Sequence, residues 1–381
     1  MRSFLQFLQR ALKYFLGTKR VWRRPPRADL LIIDRGTSSP LDEMFAHHKP
    51  HILEIRGESV NMLALLRALP KIHLGAVAYL EAYIDFVKPK LILSRTDNNH
   101  TLWQLKRRPN VTYKVALIQN GWRLTVDFEI PVLLSLMGPC GEWKIDRLYA
   151  FGPAWVAQIP RHVRFTPVLN GSNKANDFLI LGNNKKNGIG FISSYRPTIG
   201  KSQNYLDVSV HYQCLDKKIF ELGKNLTIVA NTKKSETEWA ELKYYSKSFL
   251  KSKWTLASRD FSLSSYQKLQ DVECVIVESS SLGYECLGMG MRVGFIAFRP
   301  QHRQDRRFGK PLEFGEKGPF WTNDPSEEEI GRILDYLLSV SDEQWERDSG
   351  WIRDQLMVHD YGNTKIRAYV EGILTDSLES N

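Results

Sequence analysis

The sequence is poor in cysteine, has no long apolar run and lacks a D-x-D acidic pair between apolar residues. The four cysteines show neither CxxC nor metal-ligand spacing, which favours structural thiols in a reduced, cytoplasmic protein. No stretch approaches the ~20 apolar residues that are needed to cross a bilayer. The missing acidic pair favours a site that works without a metal ion, and no bound cofactor is expected. The cysteines are Cys140, Cys214, Cys274 and Cys286.

Acidic residues are absent between Arg10 and Arg27, and the net charge of the chain is +11. Such an excess favours anionic partners: nucleic acid, phosphorylated substrates or an anionic membrane surface. The basic residues are not accompanied by an RRM, KH, zinc-finger or helix-turn-helix signature. Nucleic acid is therefore not expected as a partner, which leaves phosphorylated substrates and a membrane surface.

Residues 1–27 are predicted to form a basic, amphipathic N-terminal helix. A secretory signal is not indicated, because Arg10 and Lys13 interrupt the apolar positions. Residues 1–24 would lie on an anionic membrane surface, although packing of the helix on the protein's own surface is the alternative. The apolar residues that share one face are Phe4, Leu5, Leu8, Leu12, Phe15 and Leu16.

The length of 381 residues predicts two domains. Residues 28–170 alternate short apolar strands with helices, as in an open and mostly parallel α/β sheet. Polar residues follow each strand, and ligands of such sheets bind beyond the carboxyl ends of the strands. Residues 171–190 are predicted as a linker, and the same alternation resumes over residues 191–341. Residues 342–381 are predicted as one C-terminal helix that runs from Asp342 to about Leu374.

The second half contains a βαβ pattern around three serines. A buried strand at Cys274–Val277 precedes Ser279, Ser280 and Ser281, and a short helix with Glu285 one turn inside it follows. Unpaired N–H groups and the helix dipole favour an anion at such a helix start. The alternative is an ordinary serine-capped helix with a surface glutamate.

These patterns resemble the GT-B fold of nucleotide-sugar glycosyltransferases, and more narrowly the proteins of bacterial capsule and lipopolysaccharide biosynthesis. The resemblance implies two Rossmann-like domains facing a cleft, and a C-terminal helix that crosses back to the first domain. It also implies a nucleotide-sugar donor on the second domain and a lipid-linked or saccharide acceptor on the first. The segments that carry it are Ile118–Arg123, Phe191–Arg196, Glu278–Val293 and Gly318–Asn323.

The resemblance implies a role for individual residues. Six residues separate Glu278 from Glu285, one fewer than in many retaining members, so the stereochemical outcome stays open. The residues expected to bind the donor are Ser193, Arg196, Ser279, Ser280, Ser281 and Glu285. Those expected to bind the acceptor are Arg35, Asn98 and Asn120. The catalytic candidates are Asp97, Arg123 and Glu285.

Asp97 is the candidate base, because it follows a first-domain strand and would face the cleft. The alternative is that Asp97 caps the helix starting near Asn99, with Asp34, Glu58 and His100 as further candidates. Arg35 and Arg123 would bind acceptor phosphate or carboxylate, or else form surface ion pairs.

The function predicted from the resemblance is sugar transfer in surface polysaccharide biosynthesis, at the cytoplasmic face of the inner membrane. The alternatives are a GT-B-like sugar-nucleotide epimerase, a polyol-phosphate transferase and a sugar-binding subunit without activity.

Overall fold

The computed structural model describes residues 17–122, 143–159, 161–178, 187–195, 208–233, 238–259, 264–278, 280–299 and 308–375. The predictions for residues 1–16, Arg123, Arg196 and Ser279 lie outside these ranges.

The first half of the described chain contains a six-stranded, all-parallel sheet. Its central strands are buried along their whole length, as expected where helices cover both faces. The strands of this half are β1 (Lys19–Val21), β2 (Leu30–Ile33), β3 (His51–Leu53), β4 (Ser59–Asn61), β5 (Leu91–Ser94), β6 (Lys114–Ile118), β7 (Trp143–Ala150) and β8 (Val163–Leu169). The order in the sheet is β3–β2–β5–β6–β7–β8, and β1 pairs with β4.

Helices cover this sheet through two apolar clusters, one on each face. Strand β4 is followed directly by a helix, and its last residue, Asn61, caps that helix. The helices are α1 (Arg35–Ser38), α2 (Leu41–Met44), α3 (Met62–Ala68), α4 (Ala76–Val87), α5 (His100–Trp103) and α6 (Pro153–Val156), with 3-10 turns at Ala46–His48 and Leu69–Leu74.

The second half contains a seven-stranded sheet in the order β11–β10–β9–β12–β13–β15–β14, parallel except at its β14–β15 edge. Its strands are β9 (Ile189–Ile192), β10 (Leu226–Lys233), β11 (Trp254–Arg259), β12 (Cys274–Val277), β13 (Val293–Ile296), β14 (Lys317–Gly318) and β15 (Trp321–Thr322). Its helices are α7 (Ser209–Glu221), α8 (Glu238–Tyr245), α9 (Ser264–Leu269), α10 (Ser281–Gly288) and α11 (Glu327–Ser339).

In each sheet, the chain first adds strands on one side of its starting strand and then continues on the other side. Ligands of open α/β sheets bind at the point where this change of direction occurs. In the first sheet the chain builds outward from β2 to β3 and then returns to β5 on the other side of β2. In the second sheet it builds from β9 to β11 and returns to β12 beside β9. Ser280 and Ser281, called the serine turn below, follow β12, so they lie at the second reversal.

The C-terminal region is not the single helix that the sequence predicts. It forms α12 (Asp342–Leu356) and α13 (Thr364–Thr375), separated by a turn in which Gly362 and Asn363 have positive φ. Asp360 then accepts the backbone N–H of Lys365 at 3.0 Å and begins α13. Helix α12 packs against α10 and α6 and joins the apolar cluster of the second sheet, and α13 lies on the first sheet through Ile366, Val370 and Leu374.

The segment between the sheets also differs from the predicted linker. Strand β9 begins at Ile189, inside residues 171–190, and a 3-10 turn forms at Ala175–Asp177. At the other end of the chain, Lys19–Val21 forms a strand within residues 1–27, which were predicted as helical. Among the described residues, no helix has the length and apolar character of a membrane span.

The chain crosses between the two sheets twice, and the two crossings touch at Gly171. Its φ is +70°, and it bridges to His359 on the returning segment. A Cβ atom at this position would lie 1.8 Å from the carbonyl oxygen of Val358. Gly223 has a similar φ of +64° but has no atom within 4 Å of the same position.

We expect Gly171→Ala to lower the thermal unfolding midpoint much more than Gly223→Ala. Both variants place a side chain in the left-handed region, at about 1–2 kcal/mol each. Only Gly171→Ala also forces the two crossings apart. Differential scanning calorimetry of the two variants makes the comparison, and equal shifts would show that the contact with Val358 does not hold the crossings together.

Candidate functional site

A cavity of about 250 Å³ lies between the carboxyl ends of the two sheets. Asn120 from the first half and Lys174 from the crossing segment line one side, and the serine turn lines the other. The lining residues are Asn120, Lys174, Ile192, Ser193, Val229, Ala230, Asn231, Arg259, Ser265, Tyr266, Ser280, Ser281, Leu282 and Glu285. The structure therefore brings the serine turn, Ser193, Glu285 and Asn120 together, as the sequence predicts for a cleft.

The serine turn is shaped by its own cap and by close packing of the helix on β12. Ser280 has an extended backbone, and its hydroxyl accepts the N–H of Leu282 at 3.3 Å. A Cβ atom on Gly283 would lie 2.5 Å from the side chain of Val277, so a glycine is needed where α10 crosses its strand. The first turn of α10 is thereby fixed with its N-terminal end at the cavity.

Glu285 lies in α10 and joins three separate parts of the chain. It is 8% exposed, and its two carboxylate oxygens accept hydrogen bonds from the hydroxyls of Ser172 at 2.7 Å and Tyr266 at 2.6 Å. Burial and the negative charge of Glu285 hold the pKa of Tyr266 well above its ordinary value, so the phenol remains protonated and donates. Glu285 is thus a buried carboxylate that ties α10 to the crossing segment, and not the surface glutamate of the alternative interpretation.

Arg95 places a buried positive charge near enough to Glu285 for the two side chains to attract each other. It is 4% exposed and donates to the backbone carbonyls of Thr37 at 3.3 Å and Ser39 at 2.6 Å. Its Nε atom has no partner among the described residues. Burial lowers the pKa of Arg95, and attraction to Tyr266, Glu285 and Asp97 offsets part of that effect. An arginine stays charged under these conditions, so it supplies a fixed cation behind the cleft.

Asp97 does not cap the helix that follows it, since Asn99 accepts the N–H of Thr101 and is the cap of α5. The Asp97 side chain is 1% exposed, and its carboxylate accepts the backbone N–H of Asn120 at 3.2 Å. Asp97 therefore lies directly behind a residue that lines the cavity, and it is not itself part of the lining.

The other first-domain candidates have structural partners. The Asp34 carboxylate receives two hydrogen bonds from Arg56 Nε, at 2.8 and 3.0 Å, and one from Thr96 at 2.7 Å. Burial raises the pKa of Asp34, but these hydrogen bonds outweigh it and hold the pKa below its ordinary value. Arg35 pairs with Glu54 at 2.8 Å, and neither Arg35 nor the exposed Asn98 lines the cavity.

Ser193 contributes to the cavity wall, but its hydroxyl is used inside the second domain. It bonds to the carboxylate of Glu241 and to Tyr245 at 2.9 Å. Behind the serine turn, a buried ion pair joins Glu278 to Arg299, which also donates to Ser194 at 3.0 Å. These contacts fix the ends of β9, β12 and β13, where the strand order reverses.

Sequence reasoning missed Lys174 and Arg259, the two cations that line the cavity. Lys174 fell within the predicted linker, and Arg259 ends β11, a strand that the sequence predicts only as far as Leu256. Both become site residues because the carboxyl ends of parallel strands and the crossing segment meet at one edge. An aromatic contact crosses the same cleft, where Trp122 stacks on Tyr284 with ring centroids 3.5 Å apart.

Comparison with known sequences assigns the family. Residues 116–373 match the family described as "putative O-antigen biosynthesis protein". The chain belongs to this family. A search of the curated proteins gives no match.

Solved structures show which fold this O-antigen family member has. It is similar to the wall teichoic acid polymerase TagF, with a TM-score of 0.54 and 12% identity over 93% of this chain and 90% of that chain. It is also similar to S. aureus MnaA in complex with UDP, with a TM-score of 0.50 and 13% identity over 92% and 97% of the two chains. A UDP-N-acetylglucosamine 2-epimerase gives 0.51 and 12% over 93% and 97%. These similarities confirm the predicted GT-B fold.

Proposed function

We propose that the protein is a glycosyltransferase, which moves a sugar from a nucleotide-sugar donor to a lipid-linked or saccharide acceptor in bacterial surface polysaccharide biosynthesis. The observation that carries this proposal is the cavity between the two sheets, where a helix start and two cations face a polar residue of the first domain. Membership of the O-antigen family supports lipopolysaccharide or capsule as the product.

The donor binds with its phosphates at the start of α10. Ser280 and Ser281 provide hydroxyls and first-turn N–H groups, and the helix dipole attracts an anion there. Lys174 and Arg259 approach the same space from the crossing segment and from β11. Glu285 has both oxygens occupied, so its role is to hold α10 against the crossing segment rather than to take up a proton.

Transfer requires the acceptor hydroxyl to attack the anomeric carbon while the bond from that carbon to the donor phosphate breaks. The nucleoside phosphate then leaves with the bonding electron pair, and its charge is stabilised by the α10 start, Lys174 and Arg259. Asp97 is the proposed acceptor of the hydroxyl proton. Catalytic hydrogen bonds often form only in the substrate complex, and the carboxylate stands next to Asn120 at the cavity wall.

An apolar cavity of about 300 Å³ in the first domain supports a lipid-linked acceptor. It lies between the loop after β3 and helices α3 and α4, with Ile55, Val60, Leu65, Tyr79 and Leu80 among its walls. Asn99 and Thr101 also line it, and they follow Asp97 in the chain. A hydrocarbon chain in this cavity would therefore end near the proposed base.

The surface beside this cavity has the character of a membrane contact. Strand β1, which carries exposed Lys19 and Arg20, pairs with the β4 residues that line the cavity. Trp22 next to it is 62% exposed, and Arg23 and Arg24 are exposed as well. Basic residues attract anionic lipids, and tryptophan favours the headgroup region. The protein is accordingly proposed to work at the cytoplasmic face of the inner membrane.

We expect nucleoside diphosphates and their sugars to raise the thermal midpoint of the protein. A ligand at a hundred times its Kd stabilises by ~2.7 kcal/mol. A panel of UDP, GDP, CDP and dTDP sugars identifies the base, and Arg259→Ala should abolish the shift. Arg161→Ala, which changes an exposed arginine away from the cavity, is the control. A shift that survives in Arg259→Ala would place the donor elsewhere, and conversion of the donor sugar without acceptor would identify an epimerase.

We expect Asp97→Asn to lower kcat by about 10²–10⁴-fold while the donor-induced thermal shift is retained. The amide oxygen can still accept the N–H of Asn120, so the fold should persist, but the amide cannot take up a proton. Transfer assays with the nucleotide sugar from the panel, together with the midpoint of the ligand-free variant, make the test. If the midpoint falls sharply and the remaining folded enzyme turns over normally, Asp97 has only a structural role.

We expect Arg20→Glu/Arg23→Glu/Arg24→Glu to weaken binding to vesicles that contain anionic lipid, and to leave donor binding intact. Each basic residue near such a surface contributes about 1 kcal/mol. Lys247→Glu/Lys251→Glu/Lys253→Glu makes an equal charge change on exposed positions of the second domain and is the control. Sedimentation with vesicles measures binding. Equal losses in both triple variants would mean that net charge, and not this surface, governs association.

A further inference from the structure

Two histidines and a glutamate converge on the surface of the first domain, away from the cleft. Glu371 contacts both histidines, with Oε1 at 3.0 Å from His47 Nε2 and Oε2 at 3.0 Å from His48 Nε2. One ligand atom from each of the three side chains lies within 4.8 Å of the other two. None of these residues lines the cavity between the sheets.

The fold brings these side chains together from distant parts of the chain. His47 and His48 end the 3-10 turn that follows α2, and Lys49 with positive φ then turns the chain into β3. Glu371 belongs to α13, which is held on the first sheet by the buried Ile366 and Val370. The glutamate position is therefore set by the core beneath it.

A pair of histidine–carboxylate hydrogen bonds would explain the contacts, but the donor set also suits a divalent cation. Two imidazole nitrogens and one carboxylate oxygen are ligands that Zn²⁺ accepts, with a fourth position left for water. Ligands at about 2.0–2.1 Å in tetrahedral geometry are roughly 3.3–3.4 Å apart. Each histidine Nε2 is now 3.0 Å from a different oxygen of Glu371, and these pairs would need to open by a few tenths of an ångström. The two histidine nitrogens, which lie within 4.8 Å of each other, would need to reach the same spacing.

Exposure of the three side chains fits a binding site that is open on one side. The side chain of His48 is 17% exposed, so this ligand is largely fixed by its surroundings, whereas those of His47 and Glu371 are 59% and 40% exposed. Zinc requires neutral imidazoles, and both rings would carry their proton on Nδ1 when Nε2 binds the ion.

We propose that His47, His48 and Glu371 bind Zn²⁺ and that the ion fastens α13 to the first domain. The ion joins the segment after α2 to α13, which also meet in an apolar cluster that contains Phe45, Ile366 and Val370, and through the Arg367 hydrogen bond to the carbonyl of Met44 at 3.5 Å. Its effect is on stability, and sugar transfer does not depend on it.

The test uses the full chain after removal of metal with EDTA, at about pH 7.5, where imidazoles are neutral. At zinc concentrations a hundredfold above Kd we expect the thermal midpoint to rise by about 3–4 °C. His48→Gln and Glu371→Gln should abolish the rise, and both substitutions retain a side chain that forms hydrogen bonds. His73→Ala, which removes an exposed histidine of the same domain, should keep it.

Cobalt provides a readout that does not depend on stability. Wild-type protein with Co²⁺ should show visible d–d absorption without a thiolate charge-transfer band, and Glu371→Gln should lose it. The proposal fails if zinc raises the midpoints of wild type and Glu371→Gln equally, because the ion then binds elsewhere. It also fails if zinc has no effect, since the three side chains would then form hydrogen bonds only.

Discussion

The arrangement of this protein depends on one buried carboxylate between the two sheets. A buried carboxylate without hydrogen-bond partners is strongly destabilising, so both oxygens of Glu285 need donors. Ser172 and Tyr266 meet that requirement from the crossing segment and from α9. The start of α10 is consequently held at the cavity between the two sheets.

The buried charges around Glu285 also decide what the cleft can bind. Arg95 lies behind the first-domain wall, and the ion pair of Arg299 with Glu278 lies behind the second. Arg299 is paired with Glu278, whereas Arg95 donates to backbone carbonyls and is attracted to buried acids. Among the described residues, the lining contains the cations Lys174 and Arg259 and the carboxylate of Glu285, which is already bonded. Such a balance suits a phosphate group better than a neutral sugar alone.

Local patterns in the sequence predicted the elements well and the contacts between them poorly. Apolar runs such as Leu30–Ile33 and Cys274–Val277 mark buried strands, because a strand covered on both faces must be apolar throughout. The sequence pattern of this region is helical except at Gly362 and Asn363. These two residues make the break between α12 and α13, which was missed. Glu285 was identified as a site residue, but its bond to Ser172 spans 113 residues and no local pattern reports it.

Local sequence patterns also fail to distinguish the candidate site residues of the first domain from one another. Arg35, Asp97 and Asn120 each follow a strand, and position alone makes them equivalent. The structure separates them by their partners: Arg35 is tied to Glu54, whereas Asp97 and Asn120 are bonded to each other at the cavity wall. Of the three, Asn120 lines the cavity and Asp97 lies directly behind it, whereas Arg35 does not line it, and the proposed role of Asp97 depends on this arrangement. A position directly after a strand makes a residue a candidate, and its contacts in the folded protein show whether it lies at the cavity between the sheets.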